Sequence, residues 1–169
     1  MLPAVTRPEP PFTGDERTLL PLWMDYQRST LLWKCELIGG EDLARRAVPP
    51  SPLSLLGIVR HMTLVEWSWF EEVFADTKTA SPIATESDRD ADWNDLDPSR
   101  AMADIERFQC QCDVSRKIVA GAQSFDEVAA NARDTISLRW IMVHMIEEYA
   151  RHNGHADFLR EQIDGAVGE

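Results

Sequence analysis

The sequence predicts an all-α fold, a bundle of four long helices, and three observations carry that prediction. Four long segments repeat their apolar residues at helical spacing. Caps, prolines and glycines bound those segments where helices are expected to start and stop. No run alternates apolar and polar residues as a half-buried strand does.

Taken in order, residues 1–12 hold four prolines and are expected to form an extended arm, with a single domain over 13–169. Thr13-Gly14-Asp15-Glu16 has the capping-box pattern, threonine at the cap and glutamate three on. The first helix is expected from about Asp15 to Ile38, using Leu19, Leu20, Trp23, Met24, Leu31, Leu32 and Cys35, with Gly39-Gly40 ending it. Ser51-Pro52 restarts a helix that runs to about Ala75 through Leu53, Leu56, Ile58, His61, Leu64, Val65, Trp69 and Val73. Thr77 to Asp97 is acidic and poor in large apolar side chains, apart from Ile83 and Trp93. A stretch of that kind in a domain is read as a lid or a flexible excursion. Asp97-Pro98 repeats the cap-then-proline signal, and the third helix spans about Pro98 to Ala120. Ser124-x-x-Glu127 marks a capped turn or brief strand before the fourth helix, Ile136 to Asp164.

The chain has 169 residues, with 17 basic against 29 acidic side chains and a formal charge of −12. That balance speaks against nucleic acid and against anionic membrane surfaces as partners, because both need a basic face. No apolar run approaches the roughly 18 residues that span a bilayer. The N-terminus lacks a basic region followed by an apolar one, so the expected location is cytoplasmic. Three cysteines fit reduced thiols. Cys110 and Cys112 stand about 200° apart on a helix, which turns one thiol inward and the other outward.

The fourth helix concentrates the chemistry. His144, Glu148, His152 and His155 fall within roughly an 80° stripe at 100° per residue. Ile141, Met145, Leu159 and Ile163 share or border it, so the stripe is expected to face the core. Burying such polar groups unpaired costs several kcal/mol, which pairing or a metal removes. On the second helix His61 has Gly57, Ile58, Leu64 and Val65 at three and four residues' distance and is also expected inside. A metal site would take His61 with one pair from the fourth helix: His144 with Glu148, Glu148 with His152, or His155 in place of His152. Spacing does not choose among them. A lone core-facing histidine is more commonly a hydrogen-bonded structural residue. Glu147 and Arg151 read as a solvated pair, and Trp67, Trp69, Trp93 and Trp140 as core or as cavity walls.

The segments LSLLGIVRHMTLVEWSWFEEVF and SLRWIMVHMIEEYARHNGHADFLREQIDG resemble the DinB superfamily. The similarity is greatest to its mini-circle-type branch, relatives of the mycothiol-dependent maleylpyruvate isomerase, and HNGHADFLRE is the most diagnostic stretch. The resemblance implies a four-helix bundle in up-down-down-up order with a divalent metal at one end. In most of the superfamily the ligands are a histidine on the second helix and an H-x-x-x-H pair on the fourth. Matched motif to motif, these fall on His61, Glu148 and His152. Glu148 departs from the all-histidine pattern and resembles the His-Glu-His set of the isomerase branch. Such a set leaves open coordination positions and suits zinc, with nickel or iron next. His144 is then the pocket candidate for reaching a bound ligand, ahead of His155. The implied activity is a metal-dependent thiol S-transferase or isomerase, taking mycothiol of an actinobacterial host as small-molecule thiol and an electrophilic substrate. The alternative is a non-catalytic metal-binding or stress-response interaction protein, paired as a homodimer through its apolar helix faces.

Overall fold

Ser137 accepts a hydrogen bond from the backbone N–H of Trp140 and starts the longest helix of the protein. That helix, α6 (Leu138–Asp164), ends on Gly165 in the left-handed conformation at φ 80°. The computed structural model describes residues 1–83, 88 and 90–168. The other helices are α1 (Glu16–Cys35), α2 (Gly40–Ala44), α3 (Leu55–Glu66), α4 (Ala91–Asn94) and α5 (Ala101–Gly121). A π-helical segment, Trp67–Phe74, continues α3, and a 3₁₀ turn, Pro98–Arg100, leads into α5. Among the described residues there is no strand, only two isolated bridges, Leu2 with Glu36 and Val128 with Ser137. The chain is all-α, as its periodicity predicts. Among the described residues no helix is long and apolar enough to cross a membrane.

α1 lies chiefly along α6 and α3 along α5, while α3 also touches α6. Met24, Leu31, Ile58, Met62, Phe108 and Met145 are fully buried between them. Several boundaries differ from the sequence reading. Asp15, not Thr13, caps α1, accepting from Thr18 N at 2.8 Å. Ser54, three residues beyond the expected cap, starts α3 by accepting from Gly57 N. α1 stops at Cys35, before the glycine pair, because Leu37 itself takes a positive φ of 61°. Gly40 opens α2, and its lack of a side chain has a steric reason: a Cβ there would stand 2.1 Å from the carbonyl oxygen of Pro98.

The π-helical stretch was expected to be ordinary α-helix. In it Ala75 N bonds to Phe70 O, five residues back. Residues five apart therefore come towards one face. This brings Glu66 and Glu71, both buried, towards α5. Gln111 donates to Glu71 at 2.8 Å, and the Cys112 thiol lies 3.9 Å from Glu66. Phe70 and Glu71 take the inward places that α-helical spacing assigned to Trp69 and Val73.

Glu66 is fully enclosed and holds three helices together. Arg28 of α1 grips both its oxygens at 2.8 Å, and Tyr149 of α6 donates to Oε1 at 2.6 Å. Removing one member of such a pair strands a buried charge. Arg28→Ala is expected to cost about 3–5 kcal/mol in urea unfolding. Arg151→Ala, which breaks an exposed pair, is expected to cost under about 1 kcal/mol. Equal, small losses would contradict the role assigned to Glu66.

Candidate metal centre

Where α3 meets α6, the chain brings His61, Glu148 and His152 together. One donor atom from each lies within 4.8 Å of the others. The His61 and His152 rings are 4.8 Å apart, and His152 Nε2 is 3.7 Å from Glu148 Oε2. Zinc ligands at about 2.0–2.1 Å stand roughly 3.4 Å from one another in a tetrahedron, so small rotamer shifts would close the set. The helical stripe sits differently from expectation. The buried face of α6 runs through Met142, Met145, Tyr149, His152 and Ala156. His144, Glu148 and His155 border it and are half-buried. His152 alone belongs to both, so the group opens towards solvent on one side.

Asp92, which the sequence did not single out, and Trp93, read as core or cavity wall, complete the inner wall of the group. Asp92 of α4 is buried, and its Oδ2 lies 2.8 Å from His61 Nδ1. A proton on Nδ1 shared with Asp92 leaves Nε2 of His61 with its lone pair, the arrangement that orients ligating histidines. Arg60, the residue before His61, fixes α4 by donating to the carbonyl of Ala91 at 2.8 Å while pairing with buried Asp104. Trp93 stacks on His61 at 4.7 Å. Asp92 and Trp93 lie in the acidic stretch read as a lid or excursion. The one signal for them was a tryptophan among carboxylates, too common a pattern to assign. Residues 84–87 and 89 of that stretch lie outside the described residues.

Burial pushes His152 down to about 4, helped by nearby His61, His155 and Arg151. At neutral pH it is an uncharged imidazole with a free lone pair, as a ligand must be. Its Nδ1 is buried with no hydrogen-bond partner among the described residues. The donor types, the neutral imidazole and the carboxylate behind His61 all fit a divalent cation.

His144 stands to one side, its Nε2 3.9 Å from Glu148 Oε1, stacked on Trp140 at 4.9 Å and edge-on to Trp69. It also gathers with Glu147 and Glu148. Arg151 already pairs with both carboxylates, which gives that cluster an internal cation. His155 meets His152 edge to face at 5.4 Å.

The family model described as mycothiol-S-transferase matches residues 19–165. The chain belongs to that family. The DinB resemblance drawn from the second and fourth helices agrees with this membership. No curated protein and no solved structure matches.

For a member of the mycothiol-S-transferase family the protein's own thiols matter, because they could compete with an added one. Burial pushes Cys35 up to about 12. Burial, then the neighbouring Glu66 carboxylate, raises Cys112 further. Cys110 is exposed, and none of the three belongs to the His61 group. At neutral pH a maleimide is expected to label Cys110 alone, with Cys35 and Cys112 reacting only in denaturant, as counted by mass spectrometry. Rapid labelling of all three in the native protein would contradict this burial.

Proposed function

We propose that the protein is a divalent-metal-dependent thiol S-transferase in which His61, Glu148 and His152 hold the metal. Mycothiol is the thiol, an electrophilic small molecule is the acceptor, and zinc is the leading metal, with nickel or iron next. The observation that carries the reading is the convergence of these three donors, from two helices, in a chain of the mycothiol-S-transferase family. The up-down-down-up order of the long helices is part of the same reading.

A bound divalent ion would lower the pKa of a coordinated thiol, and it is the thiolate that attacks. The chain's own residues have distinct tasks. Asp92 orients the His61 ring through Nδ1. Glu148 offers a carboxylate whose other contact, Arg151 at 3.1 Å, steadies it from the solvent side. Trp93 shields His61 from water on one face. His144, beside Glu148 and packed against the touching Trp69 and Trp140 rings, is the residue that would meet a bound ligand. The chain's two buried thiols are protonated at neutral pH, which fits a nucleophile supplied from outside.

Two outcomes are expected. Asp92→Asn should weaken metal binding by about 10–100-fold with helix content unchanged, as measured by chelator competition; an unchanged affinity would remove Asp92 from the site. Glu148→Ala should abolish mycothiol conjugation to an activated halide by the metal-loaded protein. Conjugation indifferent to that change sinks the catalytic reading. Metal retention without any turnover would favour the non-catalytic metal-binding alternative.

A further inference from the structure

We infer that an apolar pocket beside His155 holds the apolar body of the electrophile, and that the acceptors are therefore compounds bearing an aryl or comparably compact hydrocarbon group. This rests on the thiol-transfer reading of the neighbouring site. The pocket has a volume of about 150 Å³ and is lined by Val48, Ser51, Leu53, His155, Phe158 and Leu159. Its walls come from the segment between α2 and α3 and from the last third of α6. A benzene ring matches a space of about this volume.

His155 ties the pocket to the chemistry. Its ring is at once a wall of the pocket and the edge-to-face neighbour of His152. A ring seated against Val48, Leu53 and Leu159 would rest beside His155, whose ring in turn meets that of His152. Ser51 and His155 are the polar residues of an otherwise apolar lining. Phe158 is 68% exposed and borders the pocket. A second cavity, about 210 Å³ around Arg17, Arg28 and Arg116, is less suited to a ligand. Its guanidiniums are already bonded to the carbonyls of Ala122 and Gln123, to Glu66 and Asp25, and to Asp113.

For an arylmethyl halide the transfer balances as a displacement. The thiol proton passes to solvent, and the thiolate sulfur forms its bond to the benzylic carbon. The carbon–halogen bond breaks, and the halide leaves with the electron pair. The pocket's part is to hold the ring.

The test is a benzene titration of the full chain, methyl-labelled at leucine and valine, followed by NMR with and without zinc. Saturable shifts are expected at Val48, Leu53 and Leu159 in both states, and Val48→Trp or Ser51→Phe should remove them. In the metal-loaded enzyme with mycothiol, each filled variant should lower the ratio of kcat/KM for benzyl bromide to that for iodoacetamide by about tenfold. If wild type retains metal and turns over iodoacetamide but these methyls do not shift, the pocket assignment falls alone. If they shift but the protein holds no metal and conjugates nothing, the thiol-transfer reading falls and takes the assignment with it.

Discussion

The Tyr149–Glu66 hydrogen bond, closed from the far side by Arg28, is the constraint on which the rest depends. It joins α3 to α6 one residue from Glu148 and five from His61. Sliding either helix by a turn, about 5.4 Å, would break a buried charge pair and separate the donor atoms together. The polar core and the candidate centre therefore share one registration. A buried ion pair is weak evidence for net stability, but as a device for holding register it is well attested.

The centre's asymmetry follows from where that registration puts it. The buried face of α6 passes through Tyr149 and His152, so Glu148 and His144 fall on its border. One side is sealed by Trp93 and Asp92, held down by Arg60; the other faces solvent and carries Arg151. A candidate centre on such a border is half desolvated, which keeps His152 neutral, and stays open to solvent on one side.

Much of this was legible in the sequence, and the gaps have physical causes. Helical periodicity gave the long helices; the fourth, expected from Ile136, starts at Leu138, where Ser137 caps it. Helical phase gave His61 and a stripe of four polar groups on the fourth helix, and the family motif alone picked out Glu148 and His152 from that stripe. The π-helical stretch was invisible: its cause is tertiary, the pairing of Glu66 and Glu71 across to other helices, and local spacing does not encode it. Asp92 was missed because its neighbours are acids and only the fold selects one of them. Leu37 in a left-handed conformation ended α1 where glycines had been expected to. The stripe on α6 was found, but its depth was misjudged, since periodicity gives a direction and not the position of the partner helix.

The most direct measurement is anomalous scattering from crystals of protein purified without added metal, collected across the zinc, nickel and iron edges. The account predicts one stoichiometric peak within bonding distance of His61 Nε2, a Glu148 oxygen and His152, absent in His61→Ala crystals. A map with no peak there, or with its peak between His144 and Glu147 instead, would contradict it.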